Sequence, residues 1–287
     1  MLIDTHAHLD FPDFAAETEA VLARASAADV TEIITIGTTV AGSGRAIGLA
    51  EKFPNVHATV GVHPSNAEEV ENDFIGPLRV LAAHPRVVAL GEIGLDYHRL
   101  PSRRVLEPQP AWLAETPFND PREIEGAIRD GAYKARQAEV FLAQLDLAVE
   151  LGLNVVIHER DAWDDTLALL EPYTGKLRAV FHCFGKSIDH ARALLELGHL
   201  VSFTGIVTFK NGQIIAETAA QLSPGSFMVE TDCPFLAPVP HRGKRCEPAH
   251  TRLVAEKIAA LRGQPIEAIA RETTETARQF FAFQRAG

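Results

Sequence analysis

Short, mostly apolar runs alternate with helix-patterned stretches along almost the whole chain. Residues 2–4, 30–36, 56–62, 86–93, 154–157, 179–181, 200–203 and 227–229 are rich in Val, Ile, Leu and Phe. Between them, 13–28, 41–53, 67–83, 134–151, 162–170 and 188–197 carry apolar residues at helical spacing, and helices follow at about 248–261 and 265–283. Strands that are apolar on both sides, each followed by a helix, predict a parallel sheet covered on both faces. Eight such units in 287 residues fit one α/β domain, a single (β/α)8 TIM-like barrel. An open doubly wound sheet is the alternative, but no GxGxxG follows a strand and there is no P-loop.

One stretch breaks the rhythm. Pro101, Pro108, Pro110, Pro117 and Pro121 fall between Tyr97 and Lys134. Proline lacks an N–H and clashes with the preceding turn, so no long regular helix is expected before about Arg122. Residues 99–133 read as an insertion after strand four, ordered at least in part by Trp112 and Phe118, and forming a wall, a lid or an oligomer contact.

Composition narrows the function. The formal net charge is −11, which argues against a general nucleic-acid binder held by long-range attraction. No apolar run reaches the roughly 18 residues of a membrane span, and residues 1–10 lack a signal peptide's basic and apolar regions. Cys183, Cys233 and Cys246 are odd in number and have no CxxC spacing. Reduced thiols in a cytoplasmic protein are expected. The oligomeric state is left open.

The polar residues carry the chemistry. His6-Ala7-His8 ends the first strand, and side chains at i and i+2 of an extended chain point the same way. His63 follows strand three, Glu92 strand four, His158 strand five, His182 strand six and Asp232 strand eight. Each alone has an ordinary reading, as a surface or structural histidine or a turn carboxylate. Together they place five of the twelve histidines and two carboxylates on the barrel rim that carries active sites. Buried without partners they would be costly, and a divalent metal site satisfies them. Nitrogen and oxygen donors suit Zn, Mn, Fe, Ni or Mg. Six donors exceed one open tetrahedral site, so two ions sharing a carboxylate fit better, an arrangement that generates a hydroxide nucleophile near neutral pH.

The ordered motifs LIDTHAHLD, GVHP, GEIGLDYHR, VIHERDA, FHCFGKS, VSFTGIVTF and ETDCPFLAPVPHRGKR resemble those of the TatD-type metal-dependent hydrolases, the TatD-like DNases of the amidohydrolase superfamily. The likeness runs from Leu2 to about Phe281. It implies a TIM-like barrel with two divalent ions, Mg, Mn or Zn. One would be held by His6, His8, Glu92 and Asp232, the other by Glu92, His158 and His182, with His63 near the substrate phosphate or a further labile metal. It also implies a deoxyribonuclease, often a 3′→5′ exonuclease, although some relatives instead remove D-amino acids from tRNA. Two departures stand out: the 99–133 insertion, and Cys246 after RGKR where the family often has Asn.

The reaction expected is phosphodiester hydrolysis at DNA ends. Glu92 and Asp232 are the catalytic carboxylates, Asp232 serving as proton acceptor. Glu230, on the same strand side as Asp232, is either an outer partner of a ligating histidine or half of a buried salt bridge. Phosphate contacts are expected from His63 and from Arg242, Lys244 and Arg245, the densest positive cluster, with Arg160, Lys186 and Lys210 as further candidates. Phe184 and Phe209 are candidates for base stacking or for core. A carbonyl hydrolase, such as a cyclic amidase or an aminoacyl-tRNA deacylase, is the competing reading. The resemblance weighs against it, since related amidohydrolases often bridge their metals with a modified lysine where Glu92 stands here. A structural metal-binding protein would not need donors from six strands.

Overall fold

The apolar runs become strands because branched side chains pack well on a pleated, fully covered surface. In the computed structural model, which describes residues 1–104 and 121–282, these are β1 (Leu2–Ala7), β2 (Val30–Thr35), β3 (Val56–Val60), β4 (Val87–Asp96), β5 (Val155–Arg160), β6 (Ala179–Phe181), β7 (Leu200–Phe203) and β8 (Phe227–Val229). They form one eight-stranded parallel sheet in chain order. Its two edges meet at the C-terminal end. Ala7 bridges Cys233, the His8 N–H donates to Cys233 O at 2.9 Å, and the Asp232 N–H donates to His6 O at 2.8 Å. The result is a nearly closed TIM-type barrel, and this join sets His6, His8 and Asp232 side by side.

Eleven helices accompany the strands among the described residues: α1 (Pro12–Ala15), α2 (Thr18–Ala27), α3 (Val40–Lys52), α4 (Ile75–Ala82), α5 (Pro101–Arg104), α6 (Pro121–Leu151), α7 (Trp163–Leu170), α8 (Ile188–Glu196), α9 (Gln213–Gln221), α10 (Thr251–Arg262) and α11 (Ile266–Phe281). The main core joins apolar strand residues to the inner faces of these helices. A second layer takes Ile3, Ile34, Val88, Val156, Val180, Leu200 and Met228 from seven strands and packs them with Phe280 and Phe281 of α11.

Four expectations change. The helix expected over 13–28 is two, because Glu17 leaves helical geometry (φ −143°, ψ 23°). The helix expected from residue 67 starts only at Ile75. Pro77 belongs in its first turn, where a missing N–H is harmless, and would break a helix arriving from upstream. β4 runs through GEIGLD to Asp96 rather than stopping at residue 93. Finally, α6 begins at Pro121, not Lys134, so the last part of the expected insertion is helix. Trp112 and Phe118, with three of the five prolines, lie outside the described residues.

At the opposite end of the barrel His199 is buried. Its Nδ1 accepts the Ala179 N–H at 3.3 Å, so the ring is bound as a neutral acceptor. Burial and the nearby Arg178 charge push its pKa down from 6.5 to about 4. A depressed histidine pKa means the unfolded chain binds more protons between those values. The stability it contributes is therefore complete above pH 6.5 and drains away as pH falls toward 4. Asn offers an amide oxygen near the Nδ1 position but does not titrate. Urea midpoints at pH 7.5 and pH 5 should fall further apart in the wild type than in His199→Asn; equal differences would contradict this assignment.

Candidate metal centre

Glu92 organises the site. It lies within β4, is 3% exposed, and its two oxygens face different partners. Oε2 looks toward β1, with His6 Nε2 at 3.6 Å and His8 Nε2 at 3.9 Å. Oε1 looks the other way, to His158 Nδ1 and His182 Nε2 at 2.8 Å each and to His63 Nε2 at 3.5 Å. Asp232 closes the first group, with Oδ1 3.2 Å from His8 Nε2 and 3.7 Å from His6 Nε2. Thus the other six residues singled out at the strand ends gather around this one carboxylate.

The glycines of GEIG explain how the strands come so near. Gly94 has φ +137°, and a Cβ there would lie 2.1 Å from His158 O. Only the absence of a side chain lets β4 run against β5 at this point, which brings Glu92 and His158 together.

Asp96, which the sequence did not single out, and Glu230, which it did, stand near the ring nitrogens that face away from Glu92. Asp96 Oδ2 lies 3.3 Å from His158 Nε2, and its Oδ1 accepts the His98 N–H at 2.8 Å. Glu230 Oε1 lies 3.6 Å from His182 Nδ1. Glu230 also accepts from the Cys183 N–H at 2.7 Å and from the Ser202 hydroxyl at 2.5 Å. Both readings left open for it meet in this contact, which sets Glu230 behind His182 and makes a buried ion pair when that ring is charged. Two glutamines of α6 support the neighbouring loops. Gln137 exchanges two hydrogen bonds with the Asp96 backbone, at 2.9 and 3.0 Å. Gln144 does the same with Val62, beside His63, at 2.7 and 3.1 Å. Both are fully buried and seven residues apart, hence on one helix face.

The electrostatics are those of a cation site. Burial opposes the charge on Glu92, yet His182, His63 and His158 hold its carboxyl well below the usual carboxylate range. Burial likewise opposes a charged His182, but Glu92 and Glu230 raise its pKa well above the ordinary value. Asp96 is buried too, and His158 still draws it down to about 2. Burial lowers His6, reinforced by the neighbouring His182 charge. Both ring nitrogens of His6 and Nδ1 of His8 and His182 are buried without a hydrogen-bond partner, which is costly unless a ligand satisfies them. Ligands sharing an ion at about 2.1 Å stand roughly 3–3.5 Å apart. Asp232 stands 3.2 and 3.7 Å from His8 and His6, and the contacts at Glu92 Oε1 are 2.8 Å, all within a few tenths of an ångström of the spacing a divalent metal would set. Two of the clusters able to hold an ion are His6–His8–Asp232 and His63–Glu92–His158.

The proposed phosphate contacts fare unevenly. Arg242 and Lys244 are exposed on the loop after Asp232; the Arg242 guanidinium lies 3.7 Å above the Phe209 ring. Arg245 departs from the expectation. It donates to Asp13 O at 2.6 Å, Glu17 at 2.9 Å and Glu247 at 2.7 Å, so its charge is already engaged by α1, by a residue that joins α1 to α2 and by its own loop. Lys186 pairs with Glu159 at 3.2 Å, while Arg160 and Lys210 are exposed. Phe184 is core, packed edge-on against Phe203. Cys246 is buried, and all three cysteines are unpaired.

A barrel with histidines and carboxylates gathered at its C-terminal rim defines the class of metal-dependent hydrolases. The chain belongs to the TatD-related DNase family, whose model matches residues 3–282. It is 36% identical over 282 residues to the metal-dependent hydrolase YabD of Bacillus subtilis, a protein named as uncharacterized, covering 98% of this chain and 99% of that one. It is 33% identical to the 3′-5′ ssDNA/RNA exonuclease TatD of Enterobacter lignolyticus, covering 98% of each. The crystal structure of the TatD homologue YjjV from Escherichia coli superposes with a TM-score of 0.82 at 28% identity, over 99% of this chain and 98% of that one. No helix among the described residues is long and apolar enough to cross a membrane.

Proposed function

We propose that this metal-dependent hydrolase is a 3′→5′ exonuclease acting on DNA ends through two divalent ions that share Glu92. The observation that carries the reading is the division of Glu92, with His6 and His8 before one oxygen and His158 and His182 before the other. His6, His8, Glu92 and Asp232 would hold one ion, and Glu92, His158 and His182 the second. When bound, such a pair supplies a Lewis acid for the phosphoryl oxygens and lowers the pKa of water. The relative named as a 3′-5′ exonuclease supports the substrate class.

The chain's own groups then divide the work. Asp232 is the carboxylate nearer solvent, 15% exposed against 3% for Glu92, which suits it to accept the proton of an attacking water. His63 Nδ1 accepts the Ser65 N–H at 3.0 Å, which leaves the ring proton on Nε2. Burial drives its pKa down to about 3, so it stays neutral and can donate from Nε2 to a phosphate oxygen. Asp96 beside His158 and Glu230 facing His182 would orient those two rings. Glu92 keeps the two histidine groups at one spacing, so both ions would meet the same phosphate.

At a net charge of −11, the grip on DNA must be local. Each phosphate neutralised on a single strand adds about −0.7 to the slope of log K against log salt. A shallow slope of roughly −1 to −3 is expected, equivalent to about two to four phosphates. Arg242→Ala with Lys244→Ala should flatten it by about one and spare metal content; Arg245 should contribute little. A steep slope, or DNA binding indifferent to both substitutions, would count against a local grip.

The reading is tested by offering the purified protein 5′-labelled single-stranded DNA and D-aminoacyl-tRNA side by side with Mg, Mn or Zn. A ladder shortened from the 3′ end, with the ester intact, is the expected result. Ester hydrolysis without DNA cleavage would transfer the site to carbonyl chemistry.

A further inference from the structure

Single exposed large apolar side chains are ordinary on a protein surface, so it is the place of such a side chain beside the metal centre that bears on function. Among the described residues seven stand exposed, and Phe235, at 50%, is the one aromatic. It lies three residues beyond Asp232 and donates its N–H to Asp232 O at 3.0 Å. Its ring meets His8 edge-on at 6.3 Å and Phe11 at 6.0 Å, and Phe11 in turn stacks on His8 at 4.8 Å. The phenyl ring is thus tied to a candidate metal ligand, with half its surface open.

The loop that presents it is well anchored. Pro234 O accepts the Cys246 N–H at 3.0 Å, and the Val239 N–H donates to Thr208 at 2.9 Å. Gly205 approaches so closely that a Cβ there would lie 2.2 Å from Leu236 O. The same loop carries Arg242, whose guanidinium lies over the Phe209 ring. A single open ring is too small for a protein interface, yet it matches one planar base. In an acidic protein, stacking also supplies affinity that long-range charge cannot, and it accepts every base alike.

Resting on the nuclease reading, we propose that Phe235, braced by Phe11, is the stacking platform for the nucleobase adjoining the scissile phosphate. Bound there, the base would hold the strand end against the His8–Asp232 side of the centre, and the phosphate would enter beside it. Phe235 contributes through substrate affinity and alignment and takes no part in proton transfer.

The test is a kinetic cycle with the metal-loaded protein. Wild type, Phe235→Ala and Phe235→Trp are each given a single-stranded oligonucleotide and the same oligonucleotide with an abasic 3′-terminal unit. Stacking worth about 1–3 kcal/mol per base corresponds to roughly a 5- to 150-fold change in KM. The wild type should lose that factor on the abasic strand. Phe235→Ala should show the raised KM on the intact strand and little further loss on the abasic one, with its metal content unchanged. Phe235→Trp should stay within about threefold of wild type on both, since its ring also stacks. A normal KM in Phe235→Ala, or a full abasic penalty that persists in it, would overturn the platform while leaving the nuclease reading intact. Failure of the wild type to cleave either strand with Mg, Mn or Zn would overturn the nuclease reading and the platform with it.

Discussion

Glu92→Ala is expected to lower hydrolysis by at least about 10³-fold, equivalent to some 4 kcal/mol of transition-state stabilisation, while the barrel stays folded. The carboxylate faces five imidazoles, with one oxygen toward His6 and His8 and the other toward His63, His158 and His182. Without it His6 and His8 would keep Asp232, but His158 and His182 would lose their shared oxygen. One ion, and the spacing between two, should go. The fold should survive because the hydrophobic layers are formed by other residues. Glu92→Gln keeps the volume and removes the charge, so it should fail almost as badly. Circular dichroism, metal content and rate measured on the same preparations decide the matter; a variant with normal metal content and rate would remove Glu92 from the centre.

Gly94→Ala should be the most damaging small change to the fold. At φ +137°, with His158 O only 2.1 Å from the added methyl, two penalties combine. The backbone conformation is nearly closed to residues with a Cβ, at a cost of order 1–3 kcal/mol, and overpacking adds a similar amount. A total near 4 kcal/mol lowers the melting temperature by about 10 °C in a chain of this size. Any relaxation must push β5 away from β4, which carries His158 from Glu92. Activity at a temperature where the variant is still folded should therefore fall as well. Thermal unfolding with parallel metal analysis checks this, and a melting temperature within a degree or two of wild type would contradict it.

The strands were legible because a strand buried on both faces leaves an uninterrupted apolar run, as at Ala179–Phe181 and Phe227–Val229. The paired histidines were legible because strand parity alone puts His6 and His8 on one side. Asp96 was missed for a local reason: Gly91 and Gly94 interrupt the apolar pattern of β4, so the strand seemed to end early. Pro121 was misleading in the opposite sense, since a proline stops helices in general yet is welcome at a first helical position. The engagement of Arg245 depends on Glu17, 228 residues away, and no spacing rule links them. Gln137 and Gln144 did leave a signal, two amides seven apart on the buried face of a long amphipathic helix. Amides on an apolar face call for backbone partners, and these have them. Exposure of Phe235 was beyond reach, because ETDCPFL reads equally well as core.

The most direct measurement of the central claim is the number of divalent ions per chain, by native mass spectrometry of protein stripped with chelator and titrated with Mn or Zn. The account predicts two ions per wild-type chain, no more than one in Glu92→Ala, and return of hydrolysis only as the second ion binds. A single ion at saturation in a fully active wild type, or two ions retained in Glu92→Ala, would contradict it.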